Sequence, residues 1–434
     1  MKVHFVGIGG IGLSAIARFL NAKGHEVTGS DVKKTKIIED LEALGIKINV
    51  PHSREAIKEQ DLVIYSAAVK HNNPELKQAR HKGISVITRL EALKLILADK
   101  KVYSVCGAHG KSTTTAMLAE ILGSNALIGA ESKAIGSNCR VVKESRVMAF
   151  EADESDGSFL NSNPFCAIVT NAEPEHMEYY DYDYEWFYEC YREFLDKAGI
   201  RVVNNDDEFL SKIDLRCFRL HPKEDIKNIR YELRDGEPTT VFELKDFGEF
   251  SVWGFGEHIA LDASLAILAA LHELDVEEIR ANLKKFIGIK KRFDILQKDS
   301  KFALIDDYGH HPTEIEATLK SAKLYAKLMG YDKITVVWQP HKWSRTMDNL
   351  EHFVECFEGV DTLVILPVWA VNEEPRELDF AEVFGRYNPI LASRVKKAED
   401  GITFITEKGD IHEDTGVVIG FGAGDITYQL RGQK

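Results

Sequence analysis

Short apolar runs and longer amphipathic stretches alternate through the first hundred residues. Runs of four or five residues fit buried strands, whereas a stretch such as 13–20 has the three-to-four-residue spacing of a helix. Strands and helices that alternate in this way predict a parallel, doubly wound α/β sheet. The predicted strands lie at 3–6, 26–29, 47–50, 61–65 and 84–87.

The same pattern restarts twice further along the chain. The second region begins at position 101 and contains a stretch, 216–255, whose polar and apolar residues alternate as in an antiparallel meander. Because 434 residues are too many for one core, we expect three α/β domains at 1–98, 99–290 and 291–434. The further predicted elements are strands at 102–105, 147–150, 166–170, 302–305, 334–338, 362–366 and 417–420 and helices at 116–122 and 260–274.

Composition narrows the range of partners. Hydrophobic residues make up 44% and charged residues 29% of the chain, as in ordinary globular proteins. The net charge of −14 argues against a nucleic-acid partner, and no apolar run is long enough to span a membrane. The six cysteines are scattered without a C-x-x-C pair, so we expect reduced thiols in a cytoplasmic protein rather than disulfides or a zinc site.

The most specific chemical signal is GAHGKST, between an apolar strand and a helix. Its small residues let backbone N–H groups wrap phosphates, Lys111 reaches the terminal phosphates, and Ser112 can ligate magnesium. Two residues separate its glycines instead of the usual four, a form typical of a subset of ATP-binding proteins. The alternative is a chance glycine turn. The predicted ATP-binding residues of the loop are Gly107, Ala108, His109, Gly110, Lys111, Ser112 and Thr113.

Metal-capable groups follow the next two predicted strands. The acidic segment EADESD occupies 151–156, and the segment TNAEPEH ends in His176. Acidic groups at the carboxyl end of a strand beside a phosphate loop are where a magnesium ligand is expected. A solvated acidic turn and a surface histidine are the alternatives.

A glycine turn near the N-terminus indicates a second nucleotide site. Gly7, Gly9 and Gly12 fit G-x-G-x-x-G, and Asp31 lies where a ribose-binding carboxylate would sit. The motif fits NAD, tight strand–helix packing, or the diphosphate of another nucleotide. The ATP loop downstream favours the third interpretation, because a dehydrogenase does not need one.

The first two strands of the third region end in polar clusters, DDYGHHP at 306–312 and QPHKWSR at 339–345. Basic and histidine groups at strand carboxyl ends suit an anionic substrate or intermediate. In chain order, the motifs GIGGIG, GAHGKST, EADESD, TNAEPEH, KKRFD, DDYGHHPTE and QPHKWSRT resemble those of the Mur ligase family over essentially the whole chain.

The resemblance implies an N-terminal Rossmann-like UDP-binding domain, a central P-loop ATPase-like domain with an antiparallel flank, and a C-terminal Rossmann-like domain. EADESD and DDYGHHPTE resemble the motifs of the alanine-adding branch and of its close recycling relative, and the overall resemblance is greatest to the alanine-adding branch. That branch implies an enzyme that uses ATP to join L-alanine to the carboxylate of UDP-N-acetylmuramate through an acyl phosphate, for peptidoglycan. Its cofactors would be ATP and two Mg²⁺ ions, for which Mn²⁺ can substitute. We expect a monomer or homodimer in the bacterial cytoplasm.

The family motifs also imply roles for individual residues. Lys111 would stabilise the γ-phosphate, and Ser112, Glu151 and His176 would hold the two ions. Arg292 and Asp307 would contact the phosphate and ribose of ATP. The family's adenine motif, Gly-x-His-Asn-x-x-Asn, is GEHIALD here, so Asp262 stands where the second asparagine would contact adenine.

The implied substrate residues lie in two places. His310, Lys342 and Arg345 would line the amino-acid side, with Arg345 binding the alanine carboxylate. The residues expected to hold the UDP part are Gly9, Gly10, Ile11, Gly12, Asp31 and Ser66.

Two alternative functions are a murein-tripeptide recycling ligase, which shares most of the motifs, and an NAD-dependent oxidoreductase.

Overall fold

The computed structural model describes residues 1–155, 157–371 and 373–433. They form two compact units, one made of 1–230, 240–253 and 257–287 and one made of 231–239, 254–256 and 288–434. Asp156, the last residue of EADESD, lies outside the described residues. Because residues 1–98 and most of 99–290 share one unit, the three predicted domain boundaries stay predictions.

The first unit begins with a five-stranded sheet and its helices, namely β1 (Lys2–Val6), α1 (Ile11–Ala22), β2 (Glu26–Ser30), α2 (Lys36–Ala43), β3 (Lys47–Asn49), β4 (Leu62–Tyr65), α3 (Pro74–His81), β5 (Ser85–Thr88) and α4 (Arg89–Leu97). The sheet is wholly parallel, in the order β3-β2-β1-β4-β5. Phe5 packs in a core with Ile16 of α1, and Val6 packs in another with Leu76 of α3. Strand β1 is therefore buried on both faces, which explains its continuous apolar run.

The second sheet of this unit and its helices are β6 (Lys101–Cys106), α5 (Lys111–Leu122), β7 (Asn125–Ser132), β8 (Ser137–Arg140), β9 (Val147–Glu151), β10 (Pro164–Val169), α6 (Tyr184–Asp196), β11 (Ile200–Asn204), α7 (Glu208–Lys212) and β12 (Phe218–Leu220). The strand order is β12-β11-β10-β6-β9-β7-β8, and only the β7–β8 pair is antiparallel. Since β6 lies between β9 and β10, the segments that follow these three parallel strands meet at one edge of the sheet.

The predicted meander follows this sheet, as α8 (Pro222–Asp225), β13 (Ile226–Arg234), β14 (Glu237–Leu244), β15 (Glu249–Trp253), α9 (Glu257–Ala270) and α10 (Val276–Leu283). Asp235 and Gly236 join β13 to β14 with positive φ angles of 54° and 72°, which is the backbone of a tight hairpin turn. Helix α9 is buried on nearly every side and packs against α5.

The second unit contains the third mainly parallel sheet, with β16 (Asp294–Lys298), β17 (Phe302–Asp307), α11 (Pro312–Met329), β18 (Ile334–Trp338), α12 (Trp343–Asp348), α13 (Leu350–Cys356), β19 (Thr362–Ile365), α14 (Phe380–Val383), β20 (Ile390–Leu391), β21 (Arg394–Lys397), β22 (Ile402–Ile405), β23 (Ile411–Glu413), β24 (Gly416–Phe421) and α15 (Ile426–Leu430). The main sheet has the order β16-β17-β24-β18-β19-β20, with β16 antiparallel to the rest. Strands β21–β23 form a separate antiparallel sheet that the sequence pattern did not indicate.

The aromatic segment at 177–198 divides between the core and the surface. Helix α6 buries Phe187, Tyr191 and Phe194, which lie on one face of the helix. Tyr182 and Tyr184 are instead 67% and 57% exposed.

Within the described part of the chain, no helix combines the length and the apolar composition needed to cross a membrane.

Candidate active site

The segment GAHGKST forms the turn between β6 and α5, as predicted. Gly107 and Gly110 have φ angles of 137° and 81°, which side chains rarely tolerate. A Cβ on Gly107 would collide with the hydroxyl of Thr170. Helix α5 begins at Lys111 without a side-chain cap, so its first N–H groups are oriented as an anion site requires.

Two residues after β10 hold this phosphate loop in shape. Asn171 donates from Nδ2 to the His109 carbonyl and accepts from the His109 N–H, both at 3.1 Å. The Thr170 hydroxyl donates to the same carbonyl at 2.5 Å. Neither residue was among the predicted site residues, although both belong to the TNAEPEH motif that follows the neighbouring strand.

Lys111 is folded back onto the loop. Its Nζ lies 2.6 Å from the Gly107 carbonyl, 3.2 Å from the Ala108 carbonyl and 2.8 Å from Glu154 Oε1. The side chains of Lys111 and Glu154 are 15% and 1% exposed. Burial disfavours the lysine charge, but the Glu154 carboxylate outweighs it and raises the pKa of Lys111. The ammonium is thus held charged inside the loop.

The predicted metal residues Ser112 and Glu151 lie together. The Ser112 hydroxyl donates to Glu151, whose Oε2 also accepts from the Gly129 N–H at 2.7 Å. Burial raises the pKa of Glu151, although the Lys111 charge and these two bonds oppose the shift. A hydroxyl and a carboxylate at the start of the phosphate-loop helix are oxygen ligands of the kind Mg²⁺ prefers, so this donor pair fits the ion.

His176 lies on the surface in the segment after β10. Its φ angle is 53°, and its carbonyl accepts from the Tyr179 N–H at 3.0 Å. Among residues 1–155, 157–371 and 373–433, no three His, Cys, Asp or Glu side chains group as a metal site. A site built from Ser112, Glu151 and His176 would therefore depend on oxygens from water or nucleotide.

Asp262 of α9 lies beneath the phosphate loop and is 4% exposed. Its Cγ would be 3.1 Å from a Cβ on Gly110. Burial raises the pKa of Asp262 well above its ordinary value, with the Thr114 hydroxyl opposing the shift. Burial therefore favours the neutral form of the carboxyl group, which packs against the backbone of the loop. Contact with adenine remains a prediction.

The N-terminal glycine turn is ordered by Asp31, which follows β2. One carboxylate oxygen accepts from the Gly9 N–H at 2.8 Å, and the other accepts from the Val32 N–H at 2.7 Å. Ser66, which follows β4, lies beside Gly7, because a Cβ on Gly7 would be 3.2 Å from Ser66 Cβ. The structure thus brings the predicted residues of this turn together at the carboxyl ends of β1, β2 and β4.

Arg89 supplies a cation beside this turn. Its Nη1 would lie 3.1 Å from a Cβ on Gly12, and its Nη2 donates to the Ser158 hydroxyl at 3.4 Å. Gly10 precedes α1 as its N-cap, and the carbonyl of Ile11 accepts from Asn138 Nδ2 at 2.8 Å. Arg89 was not predicted, because its place at the start of α4 carries no motif.

Asp307, at the end of β17, organises the first polar cluster of the second unit. It is 3% exposed, and its two carboxylate oxygens accept from the N–H groups of Phe293 and Gly309, both at 2.8 Å. Burial raises its pKa to about 6, against the opposing charge of Arg292. Asp307 therefore fixes the backbone that carries Arg292 and His310.

Glu314, in the first turn of α11, contacts both Arg292 and His310. Its Oε1 lies 3.7 Å from Arg292 Nη1, and its Oε2 accepts from the His310 N–H at 3.0 Å. The His310 Nδ1 lies 3.0 Å from the Tyr308 carbonyl. Burial lowers the pKa of His310, partly offset by Glu314. The imidazole is thus neutral near pH 7, with its proton on Nδ1.

The second cluster of this unit lies against the first. The His310 and His341 rings are 5.8 Å apart, and Arg345 Nη1 donates to His341 Nδ1 at 2.8 Å. Burial and then the Arg345 charge lower the pKa of His341 to about 4. Lys342 has a φ angle of 68°, a strained conformation of the kind that gathers at functional sites. The predicted residues His310, Lys342 and Arg345 therefore share one region of the unit.

Family models match successive parts of this chain. The Mur ligase family catalytic domain matches residues 2–101, the Mur ligase middle domain 105–270, and the Mur ligase glutamate ligase domain 291–424. A relative from Campylobacter curvus (strain 525.92), named UDP-N-acetylmuramate–L-alanine ligase, is 55% identical over 432 residues and 99% of each chain. A relative of the same name from Helicobacter pylori (strain P12) is 53% identical over 100% of this chain and 96% of its own.

Solved structures agree with these matches. The crystal structure of a UDP-N-acetylmuramate-alanine ligase from Thermotoga maritima has a TM-score of 0.81 at 28% identity, covering 100% of this chain and 98% of that chain. A murein peptide ligase from Psychrobacter arcticus, with a TM-score of 0.63 at 20% identity over 98% and 96% of the two chains, shares the fold. The predicted three-domain α/β architecture is confirmed, and the chain belongs to the Mur ligase family.

Proposed function

We propose that the protein uses ATP to join the amino group of L-alanine to the carboxylate of UDP-N-acetylmuramate, a step of peptidoglycan precursor synthesis. The two relatives named UDP-N-acetylmuramate–L-alanine ligase are 55% and 53% identical to this chain over nearly its full length. The structural observation that carries the proposal is the ordered phosphate loop, in which Lys111 is held charged and Ser112 bonds to Glu151.

The proposed reaction has two steps. The muramyl carboxylate attacks the γ-phosphorus of ATP, so that an acyl phosphate forms and ADP leaves. The amino group of L-alanine, once deprotonated, attacks the acyl carbon, and the tetrahedral intermediate expels inorganic phosphate. Phosphoryl transfer needs positive charge where negative charge develops, which the loop N–H groups and Lys111 provide. Bound Mg²⁺, or Mn²⁺, would neutralise phosphate oxygens, with Ser112 and Glu151 as ligands of one ion and Glu151 and His176 of a second.

The groups of the second unit suit the amino acid. Arg345 carries a planar guanidinium that can bind a carboxylate through two bonds, and neutral His341 orients it. His310 keeps its proton on Nδ1, so Nε2 is an acceptor that can take the proton of the alanine ammonium. Arg292 and Asp307 are the proposed contacts for the phosphate and ribose of ATP.

The N-terminal turn suits the UDP group. Backbone N–H groups of the glycine turn and the guanidinium of Arg89 lie together, and both are donors that can bind the oxygens of a diphosphate. Asp31 holds the turn in shape through Gly9 and Val32. All six cysteines are free thiols, as is usual for proteins of the cytoplasm, where we propose that this protein acts. We propose that it is a monomer or a homodimer.

The deciding experiment measures phosphate release with ATP, Mg²⁺ and UDP-N-acetylmuramate, in the presence of L-alanine, glycine, L-serine or the murein tripeptide. We expect release that depends on both UDP-N-acetylmuramate and L-alanine. Release with the tripeptide but not with L-alanine would identify a recycling ligase instead. Binding of NADH, with no phosphate release under any condition, would support the oxidoreductase alternative.

A further inference from the structure

All three N–H donors of the Lys111 ammonium are in use in the phosphate loop. Its three acceptors are the carbonyls of Gly107 and Ala108 and the carboxylate of Glu154, between 2.6 and 3.2 Å away. An ammonium group has three donors and no acceptor. A phosphate can therefore bind Lys111 only by replacing one of these three groups.

Glu154 is held firmly in its place. The Tyr180 hydroxyl donates to its backbone carbonyl at 2.6 Å, and the Gly157 N–H donates to the same atom at 3.2 Å. Its side chain is 1% exposed, and Oε2 is buried without a hydrogen-bond partner among the described residues. The buried carboxylate thus relies on Lys111 for its charge compensation.

Of the three acceptors, Glu154 is the one that a nucleotide would replace. The two carbonyls belong to the loop backbone, whose shape Thr170 and Asn171 hold through His109. Burial raises the pKa of Glu154 and the Lys111 charge opposes this shift, while the 2.8 Å contact with that ammonium favours the carboxylate, an anion as a γ-phosphate is. Glu154 also belongs to the separate segment after β9. Two anions would then compete for one ammonium group.

We propose that Glu154 is an internal competitor of the γ-phosphate: it positions Lys111 in the empty loop and must give Lys111 up when ATP binds. This inference rests on the proposed contact of Lys111 with the γ-phosphate. The release leaves a buried carboxylate without its partner, which subtracts from the affinity for ATP. ADP has no γ-phosphate, so the competition affects it less. Glu154 therefore sets the preference of the loop between ATP and ADP.

Calorimetry on the full-length protein tests this with ADP and a non-hydrolysable ATP analogue. Glu154→Gln keeps the shape of the side chain and removes its charge. We expect the ATP analogue to bind about five- to tenfold more tightly, equivalent to about 1 kcal/mol. ADP should gain clearly less. An unchanged or weaker affinity for the analogue, or an equal gain for ADP, overturns the inference.

Asp153→Asn is the matched control, because it removes a charge one residue away, where Asp153 Oδ1 bonds to the Ser155 N–H at 3.0 Å. We expect it to leave the preference for ATP over ADP unchanged, and a gain equal to that of Glu154→Gln overturns the inference. Glu154→Asp keeps the charge but moves it away from Lys111, so its affinity for the ATP analogue should lie between those of wild type and Glu154→Gln. If Glu154→Gln does not fold, Glu154→Asp takes its place in the test.

Lys111→Ala distinguishes this inference from the proposed function. If it leaves the affinity for the ATP analogue unchanged, the assignment of the loop is itself wrong. If it abolishes binding while Glu154→Gln has no effect, the loop assignment stands and Glu154 is not a competitor.

Discussion

Asp262 lies directly against Gly110, so close that its Cγ would be 3.1 Å from a Cβ added to that glycine. Gly110 also has a φ angle of 81° at the start of α5. Two independent constraints, backbone conformation and space, therefore require glycine at this turn. The packing joins helix α9 to the phosphate loop.

Gly110→Ala should lose ATP binding and lower the free energy of unfolding by more than about 1 kcal/mol, since alanine at positive φ is strained even without a collision. Gly24→Ala is the matched control, because Gly24 has a φ angle of 86° and nothing within 4 Å of an added Cβ. Urea unfolding compares the two. Equal losses of stability would show that Asp262 does not restrict the site, whereas recovery in Gly110→Ala/Asp262→Ala would show that it does.

Asp262→Asn should change the KM for ATP by less than about threefold, because a neutral carboxyl group offers one donor and one acceptor, as asparagine does. The folded wild type keeps a proton that the unfolded chain loses near pH 4, so its stability falls as pH rises above about 4. The Asp262→Asn variant should lack this part of the fall in stability above about pH 4. A KM about tenfold lower would instead mean that an ionised Asp262 faces adenine.

Lys111→Ala should abolish phosphate release and also destabilise the protein. It would leave Glu154 buried without a cation, a change that typically costs about 3–5 kcal/mol. Lys111→Ala/Glu154→Gln should recover most of the stability and none of the activity. Denaturant unfolding and phosphate release measure the two effects separately. If the single variant is as stable as wild type, the ion pair contributes nothing to the fold.

Arg345→Ala should raise the KM for L-alanine about 10- to 100-fold, the equivalent of a charge-assisted bond of about 1.5–3 kcal/mol. The KM for ATP should change little. Arg345→Lys keeps the charge but loses the planar guanidinium, so its KM for L-alanine should lie between those of wild type and Arg345→Ala. Steady-state kinetics with each substrate varied in turn gives both constants. Equal effects on the KM values for L-alanine and ATP would indicate that Arg345 binds phosphate rather than the alanine carboxylate.

The acid limb of kcat/KM for L-alanine should lie below pH 6.5, because burial lowers the pKa of His310 and its neutral form is the proton acceptor. Glu314→Gln removes the carboxylate that opposes this shift, so it should move the limb further toward acid. His310→Gln should remove the limb and most of the turnover. An acid limb that does not move in Glu314→Gln would assign the proton transfer to another group.

The sequence predicted best those parts of the site that follow directly from strand order. Ser112 and Glu151 come together because β6 and β9 are parallel neighbours, so the segments after them share one edge. His310 and Arg345 share a region because β17 and β18 flank β24 in one parallel sheet, so the segments after them lie at the same edge. Strands β21 (RVKK) and β23 (IHE) escaped prediction because they are short and mostly charged or polar, whereas the equally short β4 (LVIY) is a continuous apolar run.

Side-chain partners across loops could not be predicted in this way. From the sequence, Lys111 would be expected on the surface, because it lies in a glycine-rich loop. Its side chain is instead 15% exposed and forms an ion pair with Glu154, 43 residues away. The sequence places Asp262 where the family's second asparagine would contact adenine, yet its carboxyl group lies buried beneath Gly110, where burial raises its pKa. Such partners depend on how segments far apart in the sequence pack together, which neither periodicity nor motif spacing encodes.

The bonds from Asn171 to His109 have a consequence for the growing chain. The two residues are 62 positions apart, and Asn171 reaches the phosphate loop only after β10 has joined β6 in the sheet. A nascent chain that has exposed GAHGKST but not yet TNAEPEH would hold its glycine turn without these bonds. We therefore expect the nascent chain to bind nucleotide only after β10, the fourth strand after the turn, has left the ribosome and joined the sheet. Ribosome-stalled chains that expose residue 171 should bind ATP, and chains that expose only the residues up to β9 should not.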